Sequence, residues 1–327
     1  MAKSLGRTTE LPARTPPAFG VQAVYNIPLT ANLDKVDINL TGTADVTGAT
    51  TLIGDGISEL ITSVDLVGDG STVISSVPFS QLVNGNIWRR MRGIAPAGLQ
   101  VAVGAVATVN FQAIGTLDLK AFAALRPKDS ALQEKSFRVL ELRFNIAANF
   151  GNVVANSADV SVAGSTVALD VVMHETIELP DAKGAVSTPT RRVQNSARDV
   201  NLAGATLREY VRLTPGQRLR GLTVRTQTAA GVNADTVLSA MRVYVGNLQV
   251  FSATAAGFAA MNQAANLAAR ETGYYLINFT SQEGSIERLT DELDLTIASL
   301  AGADAYIEYD TLTAGIIKTT QWGHIDI

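Results

Sequence analysis

The sequence predicts an all-β protein made of two tandem antiparallel sandwiches with short helices between strands. Three observations carry that expectation. Apolar and polar residues alternate with period two in row after row, glycine-, asparagine- and aspartate-rich breaks separate the rows, and a strand–turn–strand–helix unit occurs once in each half. The composition fits a chain with large buried cores. Of 327 residues, 46% are hydrophobic, only 17% are charged and 6% are aromatic, with 27 glycines, no cysteine and two histidines. Mean hydropathy is +0.17. A disordered tail protein is excluded by these numbers. The missing cysteines exclude disulfide scaffolds, thiolate metal sites and cysteine nucleophiles together. Two histidines are poor material for an enzyme.

Taken in chain order, residues 1–19 carry Lys3, Arg7 and Arg14 with Pro12, Pro16 and Pro17. No apolar run follows the basic residues, so a signal peptide is not expected, and the prolines resist helix. An extended N-terminal arm is the reading. The first sandwich is expected over residues 20–180. In Lys35–Thr41 apolar and polar residues alternate strictly. Gly54-Asp55-Gly56 and Gly68-Asp69-Gly70 look like phosphate loops, but neither has a third glycine or a following GK[ST], so both are read as turns. Phe79–Met91 is a helix candidate interrupted by Gly85. Residues 93–117 carry no charge, which raises the question of a membrane span. Four glycines interrupt the stretch, and Thr108, Asn110 and Gln112 alternate with Val109, Phe111 and Ala113, so two strands around a glycine turn fit better. Leu140, Leu142, Phe144 and Ile146 share one face of a further strand, and Val167, Leu169, Val171 and Met173 share one face of another.

Residues 181–201, bracketed by Pro180 and containing Pro189, show no apolar alternation and carry Arg191, Arg192 and Arg198. They are read as a linker between domains. The second sandwich is expected over residues 202–327, with a C-terminal tail. Within it Leu222 and Val224 alternate with Thr223 and Arg225, Leu293, Leu295 and Ile297 form a row, and so do Ala305, Ile307 and Tyr309. Phe258–Gly273 is a helix, with Phe258, Met261, Ala265 and Ala268 near one face and glycine at its end.

The two helices reveal an internal repeat. Residues 61–76 precede the first and residues 238–253 the second; Ile61 matches Leu238, Val64 matches Met241, Leu66 matches Val243 and Gly68 matches Gly246, and after a one-residue deletion in the turn Ser75 matches Ser252. Val36–Thr41 lies upstream of the first copy and Leu219–Thr226 upstream of the second. The closing strands are matched as Val167–Met173 with Ala305–Tyr309. Chance alignment of β-rich sequence is the alternative to duplication.

Little in the chain carries chemistry. His174 is read as an exposed strand histidine and His324 as a tail histidine, with no carboxylate–histidine metal spacing beside either. No G-x-S-x-G is present. Asp291, Glu292 and Asp294 suit a solvated face better than a calcium or acid–base site. Catalytic, cofactor and metal sites are therefore expected to be none. Arginine is the informative residue: 19 arginines stand beside 7 lysines, and Arg89, Arg90 and Arg92 flank Trp88 and Met91. The net charge of -4 averages opposite blocks, with ten basic residues against four acids over residues 181–242 and three against ten over residues 243–327. Aromatic residues are too scarce around the basic block for sequence-specific nucleic-acid binding. The blocks suit head-to-tail contacts between identical copies, and pairing within one chain is equally allowed.

Residues 219–253 and 287–312, with the layout of residues 64–82, resemble the double jelly-roll major capsid proteins of icosahedral viruses with an internal membrane, of the corticovirus-type bacteriophage coat protein kind. The resemblance implies two tandem jelly rolls and a homotrimer forming a pseudo-hexagonal block. It further implies neighbouring capsid trimers, minor capsid and vertex proteins and the internal viral membrane as partners. It also implies location in the virion after synthesis in the host cytoplasm, and no enzyme activity. Lys3, Arg7, Arg14, Arg89, Arg90, Arg92, Arg191, Arg192 and Arg198 would then contact neighbouring capsomers or acidic lipid head groups. A trimeric tail, spike or adhesin protein and a lectin-like carbohydrate-binding sandwich are the alternatives.

Overall fold

The computed structural model describes residues 4–90, 97–98, 107–119, 132–178, 191–206, 208–266, 272–279, 281–283, 286–288, 293–295 and 304–326. The chain divides into two compact units, residues 1–193 with 326–327, and residues 194–325.

Unit 1 contains strands β1 (Ser4–Glu10), β2 (Ala13–Thr15), β3 (Gln22–Asn26), β4 (Asn32–Val46), β5 (Ile61–Gly68) and β6 (Thr72–Val77), then helix α1 (Phe79–Arg90). Strands β7 (Ala97–Gly98), β8 (Ala107–Asp118), β9 (Leu132–Gln133), β10 (Leu140–Ile146) and β11 (Val160–Glu178) follow. One sheet runs β1-β11-β4-β8-β7, with β9 also on β4; in the other, the strands of this unit run β2-β3-β10-β5-β6. The alternation read in Lys35–Thr41 fixes the inner face of β4. Val36, Ile38 and Leu40 are fully buried there, while Lys35, Asp37 and Asn39 stay partly exposed. Each such aliphatic side chain stabilises the fold by about 1.5–3 kcal/mol. Tyr25 of β3 crosses between the sheets: its ring meets Phe144 edge-on at 5.4 Å, and its hydroxyl donates to the Leu169 carbonyl at 2.9 Å. Burial pushes the Tyr25 phenol up to about 12.

Helix α1 starts where Pro78 presets the chain, and the Pro78 carbonyl accepts the Gln81 amide at 3.0 Å. Fully buried Phe79 lies over Gly115 of β8, where a Cβ would stand 2.5 Å from the Phe79 ring. The glycine in the uncharged stretch is thus the place where helix meets strand. That stretch forms β7 and β8 in an antiparallel pair, and among the described residues no helix is long and apolar enough to cross a membrane.

Unit 2 contains β12 (Arg191–Leu202), which begins in unit 1, then β13 (Glu209–Arg212), β14 (Arg218–Thr228), β15 (Leu238–Val245) and β16 (Leu248–Thr254), followed by α2 (Ala255–Asn266). Strands β17 (Tyr274–Asn278), β18 (Ser281–Glu283), β19 (Ile286–Arg288), β20 (Leu293–Asp294), β21 (Ala305–Thr311) and β22 (Gly315–Asp326) complete it. Its sheets run β12-β22-β14-β17, with β20 on β14, and β13-β21-β15-β16; β18 and β19 form a separate hairpin. The core gathers Leu222, Val224, Met241, Val243, Phe258, Tyr275, Ile307 and Tyr309. At its centre the Tyr309 hydroxyl and the Thr319 hydroxyl hydrogen-bond at 2.7 Å, both residues fully buried.

The two units have the same plan. In one pair of sheets β1-β11-β4-β8 corresponds to β12-β22-β14-β17, and in the other β3-β10-β5-β6 corresponds to β13-β21-β15-β16, each followed by a helix after the β5–β6 or β15–β16 hairpin. Duplication is therefore visible in strand order, and the hairpin turns carry the one-residue difference. The first closes around Asp69 and Gly70, and the second around Gly246, all with positive φ.

Several expectations are corrected. The segment read as an arm is extended, yet it is built into unit 1. β1 pairs with β11 from Ser4↔Glu178 to Glu10↔Val172, and β2 pairs with β3. Of the expected linker, residues 181–190 lie outside the described residues, while residues 191–202 form β12, the first strand of the second plan. The closing strands were mismatched as well: β11 corresponds to β22, and β21 corresponds to β10. Strand β14 has no wet face. Thr223 and Arg225 are 2% and 0% exposed, with the Arg225 Nε donating to Asn233 at 2.9 Å and its guanidinium 5.7 Å from the Tyr274 ring. His324 is no tail histidine; it is fully buried in β22, opposite Arg218.

Helix α2 starts three residues before the expected position because the Thr254 hydroxyl caps it, accepting the Gly257 amide at 3.1 Å. Its rotation is set by Asn262, whose side chain donates to the Leu276 carbonyl and accepts the Leu276 amide, both at 2.8 Å. Phe258 is buried by that rotation, and Met261 is left 57% exposed.

Candidate assembly surfaces

Of the nine basic residues singled out in the sequence, Arg7, Arg14, Arg192 and Arg198 have described side chains. Lys3 and Arg92 lie outside the described residues, Arg89 and Arg90 close α1, and Arg191 opens β12. Arg7 is engaged inside unit 1: its Nε and Nη2 donate to the two carboxylate oxygens of Glu175, each at 2.6 Å, and Nη2 also reaches Thr30. Arg14 reaches Glu141 at 2.9 Å with its side chain 63% exposed, and Glu141 is shared with Arg143 at 2.6 Å. Arg192 is half-buried with its guanidinium 5.9 Å from the Phe137 ring, and burial lowers its pKa. Arg198 is exposed on β12.

The opposite charge blocks of the second half pair within unit 2. Arg242 Nη1 bonds Glu308 at 2.7 Å and Nη2 bonds Asp310 at 2.6 Å, while Arg218 meets Asp294 at 3.2 Å and Arg212 meets Asp304 at 3.3 Å. The Arg242 bond holds the Asp310 carboxyl below the usual carboxylate range, against its partial burial. Of the acidic run near β20, Asp291 and Glu292 lie outside the described residues. His174 is partly exposed, with Nε2 2.8 Å from Asp37 and Nδ1 3.2 Å from the Thr8 hydroxyl. No group of three or more histidine or acidic residues able to hold a metal ion occurs among the described residues.

A surface that the sequence reading passed over lies on the outer face of the β13-β21-β15-β16 sheet. Of seven tyrosines in the chain, Tyr25, Tyr274, Tyr275 and Tyr309 are at most 1% exposed. The other three converge there. Tyr210, 52% exposed, stands edge-on to Tyr306 at 5.5 Å, and Tyr306 stacks on Tyr244 at 5.0 Å. Strand register creates this ridge, since Tyr306 lies opposite both Arg212 of β13 and Tyr244 of β15. The Tyr244 hydroxyl donates to Gln249 at 3.0 Å. Burial and the nearby Glu308 carboxylate hold the Tyr306 phenol above its ordinary range. On edge strand β16, Leu248 and Val250 are 66% and 38% exposed. Period-two reading places Tyr306 on the face opposite Ile307, but which strands flank it is a non-local fact.

Two tandem antiparallel jelly rolls on one strand plan make this chain a double jelly roll. No protein-family model matches the sequence, and neither does any curated protein. Solved structures do match over nearly the whole length. The STIV MCP, of the Sulfolobus turreted icosahedral virus, is similar with a TM-score of 0.73 and 15% identity, covering 99% of this chain and 97% of that one. The major capsid protein P2 from bacteriophage PM2 matches at 0.60 and 12%, covering 99% and 98%. The PBCV-1 virus capsid protein matches at 0.65 and 12%, covering 99% and 94%.

Proposed function

We propose that this chain is a structural major capsid protein and not an enzyme. The reading rests on one observation above all: the likeness to three capsid proteins runs through both units and leaves almost no residue of either chain over. A partial match could reflect one common sandwich. A duplicated sandwich matched end to end is a far more specific shape. In this reading three copies form a pseudo-hexagonal block, because two similar units per chain give six similar corners. Neighbouring trimers, minor capsid and vertex proteins, and an internal viral membrane are its partners, and the virion is its location after synthesis in the host cytoplasm.

The contacts that would build the shell are surface contacts, and the tyrosine ridge is the best candidate among them. Tyrosine and arginine are enriched at protein interfaces, where a rigid ring supplies area at low entropic cost. The charged groups beside the ridge are already engaged with one another, Arg242 with Glu308 and Asp310 and Arg212 with Asp304. Arg14, though it reaches Glu141, and Arg198 are exposed enough for further contacts; Arg7 is consumed by Glu175. Light scattering and electron microscopy of the purified protein test the reading. Trimers that associate into shell fragments are expected, and a stable monomer at virion-like concentration would remove the proposal. Tyr210→Ala with Tyr306→Ala should leave trimers intact and weaken their association at least tenfold.

A further inference from the structure

Strand β1 is held in an unusual way. None of its side chains from Leu5 to Glu10 is buried, and Leu5, which points inward beside Ile177, is 58% exposed. Apart from the backbone ladder, its inward anchor is the fork of Arg7 on Glu175, whose side chain is fully buried. Glu175 does not stand alone. Fully buried Glu134, from the single turn Glu134–Ser136, lies against it, and one Glu134 oxygen accepts the amides of Thr30 and Ala31 at 2.8 and 2.9 Å. Among the described residues, the other Glu134 oxygen has no hydrogen-bond donor. Two buried carboxyl groups thus face one guanidinium. Among the described groups packed around them, the Thr30 hydroxyl donates to Glu175 at 3.1 Å, and Asp34 is occupied by the Thr176 hydroxyl at 2.5 Å. On the opposite face of the sheet His174, Lys35 and Asp37 form their own cluster.

The geometry points to a proton-operated latch on the N-terminal strand: protonated Glu134 leaves the Arg7–Glu175 pair balanced and β1 docked, and ionised Glu134 favours release of β1 and wetting of both carboxylates. Charge balance supplies the direction. With one proton on the two buried acids, one negative charge meets one positive charge; without it, two buried negative charges share Arg7, the one cation described beside them, which is itself partly exposed. Burial and the neighbouring Glu175 push the Glu134 carboxyl up to about 7, so the latch would operate between mildly acid and neutral conditions. Release uncovers the edge of β11, the next strand in the sheet, as a free row of backbone donors and acceptors.

Amide hydrogen exchange of the full chain, corrected for intrinsic rates, tests the latch. In the wild-type protein, opening of residues 6–9 should rise about fortyfold from pH 5 to pH 7 and level off towards pH 8, while the amides of β14 stay flat. Glu134→Gln, which keeps the group neutral and its acceptor oxygen in place, should abolish the rise and keep β1 closed. His174→Gln should leave the rise intact, since that imidazole lies on the other face beside Thr8. A flat wild-type profile overturns the proposal without any variant. A slope that survives Glu134→Gln, or one that vanishes in His174→Gln, overturns it too.

Discussion

Deleting residues 1–11 measures what the N-terminal segment contributes. The sequence reading treats it as part of an extended arm, whereas in the structure it is the outer strand of a sheet. Its ladder hydrogen bonds, about 0.5–1.5 kcal/mol each net, are nearly offset by ordering the same residues at about 1–2 kcal/mol apiece. What remains is side-chain anchoring. Leu11, 4% exposed with its amide on the Val171 carbonyl at 2.8 Å, contributes about 2 kcal/mol. The Arg7–Glu175 fork adds about 1 kcal/mol, because Arg7 is 37% exposed and water screens it. The deletion should therefore destabilise unit 1 by about 3 kcal/mol. With a urea slope of roughly 2 kcal/mol/M, the midpoint falls by about 1.5 M. Urea titration followed by circular dichroism reads the shift, and limited proteolysis with fragment masses shows which unit opens first. A midpoint unchanged within about 0.3 M would refute the reasoning and return the segment to the status of a free arm.

Further outcomes test other parts of the molecule. Tyr309→Phe strands the buried Thr319 hydroxyl and should cost about 1–3 kcal/mol, most of it recovered in Tyr309→Phe with Thr319→Val, as thermal unfolding of the single and double variants would show. Gly42→Ala drives a methyl group into the Thr166 carbonyl and the Phe111 ring, so it should lower the urea midpoint by at least 2 kcal/mol equivalent, roughly 1 M. Glu134, raised from 4.5 to about 7, gives a stability contribution that is complete below pH 4.5 and is lost as pH rises through 7, about 3 kcal/mol in all. Asp310 has the opposite sign: its carboxyl is depressed, so its contribution is present above the ordinary carboxylate range and is lost as pH falls. Denaturation from pH 2 to 8, in wild type and Glu134→Gln, separates the two limbs.

The inner faces of β4 and β10 are legible because burial there has period two, and Leu140, Leu142, Phe144 and Ile146 are all at most 5% exposed. The repeat was legible where the hairpins and helices are local. Its last correspondence was not, since matching β11 with β22 depends on which strands are neighbours, and β21 alternates just as clearly. Strand β12 was missed for a related reason: RRVQNSARDVN offers Val193 and Val200 and little other apolar signal, and pairing with β22 makes it a strand. The tail reading of His324 and the alternation at Arg225 do not reveal their burial, because polarity along a row is not exposure when a strand such as β14 is buried on both faces. The arginines drew attention by number, yet the tyrosine ridge depends on register between β13, β21 and β15. The fold could be read from local patterns; the candidate surface required the tertiary pairing.

The pairing of β1 with β11 joins residues 168 positions apart at Arg7 and Glu175. Strand β1 is made long before β11 and therefore has no partner until almost all of unit 1 has been made. Strands β3, β5 and β10 can pair earlier, because β10 is complete at Ile146, well before β11 ends at Glu178. The N-terminal strand is then the last seam to close on the nascent chain, and it closes at the moment when the second copy of the plan begins to emerge. Charge and polarity along β1, with Arg7, Thr8, Thr9 and Glu10 in sequence, keep it soluble during that wait.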